Sequence, residues 1–102
     1  MRLSVIQIQT ICELAKQYFG NTAQVWLFGS RVNDDAKGGD IDLYIESPIR
    51  IPADLILAKL QFLRGLHKKL GEQKIDVVLR RADNDVDLPI YHIAKQTGVL
   101  LS

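Results

Sequence analysis

Apolar positions along the chain switch between two periods, and the switches divide it into segments. Val5, Ile8, Cys12, Ala15 and Phe19 recur at spacings of three and four, which predicts an amphipathic helix over residues 4–19, stopped by Gly20. Val25-Trp26-Leu27-Phe28 is a short apolar run ahead of Gly29 and predicts a buried strand. Residues 29–39 are rich in Gly, Asp, Asn and Lys, a composition that predicts a loop or a short helix. Ile41, Leu43 and Ile45 then alternate with Asp40, Asp42 and Tyr44, the period of a strand with two unlike faces.

Pro52 suits the first turn of a helix running to Leu70 and stopped by Gly71. Its predicted core stripe is Ile56, Leu60, Leu63, Leu66 and Leu70. A second stripe, Leu55, Ala58 and Phe62, makes the apolar face wider than one core requires, so a partner interface stands beside ordinary burial. Ile75-Asp76-Val77-Val78-Leu79 predicts a third strand. Asp87 as N-cap, Pro89 in the first turn and Gly98 after Thr97 predict a last helix. The order is helix, strand, strand, helix, strand, helix: an α/β fold with a small mixed sheet flanked by helices.

The 102 residues are expected to form one domain, residues 1–102, around one core. With 47% apolar and 25% charged residues, the composition is that of a folded globular chain. A net charge of +1 supplies no basic field for nucleic acid or an acidic membrane, and few aromatics are present to stack on bases. Cys12 is the one cysteine, so no internal disulfide can form; its place in the helical pattern predicts a buried structural thiol. The first twenty residues are interrupted by Gln, Glu and Lys and read as neither signal peptide nor membrane span. A cytoplasmic protein is expected.

The acids carry the candidate chemistry. Residues i and i+2 of a strand share a face, so Asp40 and Asp42 project together while Ile41 and Leu43 enter the core. Adjacent carboxylates repel, and a divalent cation relieves the repulsion; Mg²⁺ takes one or two carboxylates together with phosphate oxygens. Asp76 stands in an apolar strand, where an unpaired charge is expensive. The helix between the second and third strands makes them parallel, and the short return from the first makes that pair antiparallel. All three acids and the Gly29-Ser30 turn then meet at one edge of the sheet. Glycine lets backbone N–H groups approach a phosphate, and the serine hydroxyl adds a donor.

The stretch VWLFGSRVNDDAKGGDIDLYIE, residues 25–46, followed by KIDVVL, residues 74–79, resembles the polymerase-β-type nucleotidyltransferase superfamily: apolar strand, Gly-Ser, a loop of about ten residues, Asp-x-Asp, and a later strand with a third Asp. The ending from His92 to Leu101 is similar to its minimal nucleotidyltransferase branch in prokaryotes. The resemblance implies a polymerase-β-like fold in which Asp40, Asp42 and Asp76 are catalytic and hold two Mg²⁺ ions, and Asp76 also helps activate the acceptor hydroxyl. It implies that Gly29 and Ser30 bind a nucleoside triphosphate, ATP above all; Arg31, which follows them, can join in binding the nucleotide by neutralising phosphate charge or remain a solvated loop arginine. Gly39 departs from the Ser or Thr that relatives often carry before the first acid.

Minimal relatives are paired with a helical toxin of the HEPN class. The resemblance therefore implies an antitoxin that transfers AMP to a tyrosine of that partner. Two alternatives stay open at this level: an antitoxin that only binds, and an enzyme acting on a small hydroxylated molecule. A homo-oligomer is also left open, since no acceptor-binding domain is visible in these residues. Lys37 in the loop can reach a triphosphate or remain solvated. Arg80 and Arg81 are read as surface residues, His67 and His92 lack further ligands for a zinc site, Asp83, Asp85 and Asp87 as a solvated loop with a helix cap, and Trp26 as core.

Overall fold

The computed structural model describes residues 3–29, 40–71, 73–81 and 86–102. Helix α1 spans Val5–Phe19, strand β1 Gln24–Phe28, β2 Ile41–Ser47, helix α2 Pro52–Leu70, β3 Ile75–Arg81, helix α3 Pro89–Thr97 and the short β4 Val99–Leu100. The sheet order is β3-β2-β1-β4. β2 runs antiparallel to β1 and parallel to β3, as the short return and the helical crossover predict. β4 is the element that the pattern does not predict. It pairs antiparallel with β1 through Trp26↔Leu100 and Leu27↔Val99, and two residues are too few to display a period.

α1 and α2 cover one face of this sheet. Val25, Leu27, Ile41, Leu43, Ile45, Ile75 and Val77 enter their core with Ile11, Leu14, Phe19, Phe62 and Leu66. Phe19 and Phe62 meet edge to face at 5.2 Å. The helices touch where Gly65 passes Leu14; a Cβ there would lie 3.2 Å from the Leu14 Cδ1. Ser47 also lies on this face and is fully buried, but its hydroxyl donates to the Phe19 carbonyl at 2.9 Å and accepts from the Ile49 N–H. The polar group is satisfied where it is buried.

Both long helices are turned relative to the stripes read from spacing. In α2 the buried residues are Leu55, Ala58, Phe62 and Leu66, while Ile56 and Leu60 are each 61% exposed and Leu63 and Leu70 are only partly buried. The second stripe, Leu55, Ala58 and Phe62, is buried as ordinary core, joined by Leu66 alone from the first. Two apolar stripes share the helix, and only the packing of Phe62 on Phe19 decides between them. In α1 the buried positions are Ile11, Leu14, Ala15 and Phe19; Val5 is 69% exposed, Ile8 is partly buried, and Cys12 is half-buried with its thiol donating to the Leu101 carbonyl at 3.4 Å. Burial raises the Cys12 pKa above its ordinary value, so the thiol stays protonated at neutral pH. α1 begins at a capping box in which Ser4 accepts from Gln7 N–H and Gln7 accepts from Ser4 N–H.

The N-cap of α3 is Leu88, with no side-chain cap bond, and not Asp87. The Asp87 carboxylate is instead bound to His92, a partner one helical turn into α3. Within the described residues no helix is long and apolar enough to cross a membrane.

Candidate active site

The second face of the sheet is organised in rows. In β1, β2 and β3 the residues that do not enter the α1/α2 core lie in register: Phe28↔Asp42↔Asp76, then Trp26↔Tyr44↔Val78, then Gln24↔Glu46↔Arg80. Neighbours in a row have their side chains on the same side of the sheet. One row therefore holds two carboxylates beside a phenyl ring, the next is aromatic and apolar, and the third is charged. α3 has nine residues and covers chiefly the middle row. Tyr91 and Ala94 are buried against Trp26 and Tyr44, and the Tyr91 ring stacks on Tyr44 at 5.6 Å.

The third row fastens α3. Tyr44 is fully buried, and its hydroxyl donates to Glu46 at 2.6 Å; burial and the adjoining carboxylate push that phenol well above its ordinary pKa. Lys95 of α3 reaches Glu46 at 3.4 Å and stands 4.9 Å over the Trp26 ring. Arg80 lies 4.8 Å over the Tyr91 ring and 3.8 Å from Asp87. Arg81 donates to the Arg50 carbonyl at 2.8 Å. Both arginines are thus engaged with the protein and not simply solvated, which sequence spacing gives no means of seeing.

The first row is the candidate site. Asp42 lies directly between Phe28 and Asp76. Burial first, then the negative charges of Asp76 and Asp40, raise the Asp42 pKa above its ordinary value; Lys74 opposes them, and a hydrogen bond with the Asp76 side chain adds to the rise. Asp40, just ahead of β2, pairs with Lys74 at 3.4 Å in an exposed bridge. Gly29 follows β1 with φ +76°, a conformation open to glycine at little cost. A Cβ at Gly29 would collide with Asp42 Oδ2 and stand 3.1 Å from its Cγ, so the main chain there lies against the carboxylate. Phe28, which sequence reading did not single out, completes the row; only the observed register identifies it.

The donor set suits a divalent cation. Carboxylate oxygens gathered closely enough that Asp76 and Asp40 raise the Asp42 pKa are the ligands Mg²⁺ prefers, and an added positive charge reverses that cost. Ser30, Arg31, Lys37 and Gly39 lie outside the described residues, as do Asp83 and Asp85. The structure therefore brings together Gly29, Asp42 and Asp76, with Asp40 within electrostatic reach. The family model for the nucleotidyltransferase domain matches residues 8–96, a span that contains all of these positions. No curated protein matches the chain.

Proposed function

The chain belongs to the nucleotidyltransferase domain family, and from that premise we propose that it transfers AMP from ATP, with Mg²⁺, to a hydroxyl of a helical HEPN-class partner, a tyrosine, and thereby acts as that toxin's antitoxin. The acceptor oxygen forms a bond to the α-phosphorus while the bond from that phosphorus to the oxygen bridging to the β-phosphate breaks. Pyrophosphate leaves with the electron pair, and the hydroxyl proton passes to the Asp76 carboxylate and on to solvent. Asp40, Asp42 and Asp76 would hold the metal, and Gly29, Ser30 and Arg31 the triphosphate. Bound there, Mg²⁺ supplies neutralisation of the charge that develops on the attacking and leaving oxygens.

The observation that carries this reading is Asp42 seated between Gly29 and Asp76, with its carboxyl pKa raised by burial and by neighbouring acids. A phosphate-binding turn and a metal-binding pair are of use to each other only at such separations. The test is incubation with Mg²⁺, ATP labelled at the α-phosphate and a helical HEPN-class protein, taken from the neighbouring reading frame where that frame encodes one. Intact mass is expected to show one added AMP on a partner tyrosine. Asp42→Asn is expected to reduce the rate at least about a hundredfold, equivalent to roughly 3 kcal/mol of barrier. An unmodified partner in the presence of folded wild-type protein would overturn the proposal; neutralisation of the partner by Asp42→Asn would show that binding alone suffices.

A further inference from the structure

β3 is an edge strand: among the described residues it pairs only with β2, and nothing is hydrogen-bonded to its other side. The Ile41 N–H donates to the Lys74 carbonyl at 3.0 Å, which fixes the alternation of the parallel ladder. The backbone groups of Asp76, Val78 and Arg80 turn toward β2, so those of Val77 and Leu79 turn outward. An unpaired row of this kind is a template for another strand. This edge also carries one of the site's carboxylates.

We infer that the outer edge of β3 receives the acceptor as an extended peptide segment, which adds as a fifth strand and brings a hydroxyl side chain beside Asp76. This rests on the transfer reaction proposed above and names the form in which its substrate is held. Backbone bonds to Val77 and Leu79 hold the segment. A residue facing Asp76 across the new pair has its side chain on the carboxylate face, with Cβ atoms about 4.5–5.5 Å apart, and continues the row Phe28, Asp42, Asp76 by one position. Arg81, held by the neutral carbonyl of Arg50, lies at one end of this edge, so an acidic residue on that side of the hydroxyl complements it; Lys74 at the other end is already paired with Asp40. Self-pairing of two β3 edges is less well served: Arg80, the cation that would face Asp76 of a second copy, is already placed over Tyr91 and beside Asp87.

The edge is tested on the full chain with the acceptor protein of the labelling assay. Leu79→Pro removes an outward N–H that the native sheet does not use. It is expected to raise the acceptor KM about tenfold while the Kd for Mg-ATP stays that of the wild type. An unchanged acceptor KM in folded Leu79→Pro would overturn the inference. Amide hydrogen exchange of the wild type supplies a readout that needs no variant: acceptor binding is expected to slow Val77 and Leu79, whereas Asp76, Val78 and Arg80 are slow throughout. Equal exchange at Val77 and Leu79 with and without bound acceptor also overturns it. Protection of both amides in the isolated protein together with a doubled mass does the same, since a second copy then occupies the edge. Failure of the transfer reaction itself is seen separately, as wild-type protein that leaves the acceptor unlabelled.

Discussion

The sheet presents Val25, Leu27, Leu43, Ile45, Ile75 and Val77 to α1 and α2 on one face, and Asp42, Asp76, Glu46 and Arg80 around Trp26 and Tyr44 on the other. The same three strands supply both. Two helices of 15 and 19 residues close the first face, whereas a nine-residue helix covers chiefly the middle of the second. Charge is tolerated where the covering helix runs out. Ser47, the buried polar residue of the closed face, survives there by bonding to backbone on both sides; the acids of the other face stay near water and can meet a ligand. Stability is concentrated on one side of the sheet and chemistry on the other.

Truncation of the closed face breaks that division most severely. Phe62 is fully buried and meets Phe19, and Phe62→Ala is expected to lower unfolding free energy by about 3–5 kcal/mol. Ile56→Ala, on the outward side of the same helix, should change it by less than about 0.5 kcal/mol. Urea unfolding of both variants checks the pair. Comparable losses would mean that the Ile56 and Leu60 stripe is also covered.

At the border between the faces, Gly29→Ala should have an intermediate effect. Its φ of +76° costs an alanine about 1–2 kcal/mol, and the new methyl must displace the Asp42 carboxylate. Affinity for Mg-ATP is therefore expected to fall together with stability, as measured by titration calorimetry and thermal unfolding. A variant with lowered Tm and native Mg-ATP affinity would remove Gly29 from the site and leave it a turn residue.

Strand faces were legible in the sequence because a period of two assigns them without reference to any partner. Ile41, Leu43 and Ile45 inward, with Asp40 and Asp42 outward, needs only alternation, and the parallel pairing that sets Asp42 against Asp76 needs only a helical crossover. Helix rotation was not legible in the same way. Leu55, Ala58 and Phe62 compete with Ile56, Leu60, Leu63, Leu66 and Leu70, of which only Leu66 is fully buried, and hydrophobicity cannot rank two apolar stripes until Phe19 and Gly65 show where α1 touches. Arg80 was hidden for a related reason. Its partners Asp87 and Tyr91 follow it by 7 and 11 residues, and cation–π placement leaves no periodic trace. Phe28 read as the end of an apolar run, and its place beside Asp42 follows from register alone.

The smallest expected effect separates the two roles within one residue. The Asp42 pKa is raised in the fold, by burial first and by Asp76 and Asp40 next, so the folded protein holds this proton more tightly than the unfolded chain. The sign of the linkage follows: the contribution favours folding below the ordinary carboxylate pKa and is lost as pH rises through the raised one. At neutral pH in EDTA, ionised Asp42 therefore opposes folding. Asn at this position, which cannot ionise, is expected to raise Tm by a few degrees. The gain should shrink as pH falls toward the carboxylate range. It should also reverse on addition of Mg²⁺, because a cation that binds the wild-type acids stabilises the folded form. Thermal unfolding of both proteins at several pH values, with EDTA and with Mg²⁺, measures it. A Tm difference that ignores both pH and Mg²⁺ would show that the acids of this row neither repel one another appreciably nor share a cation, and the contrast between the two faces would then be one of packing alone.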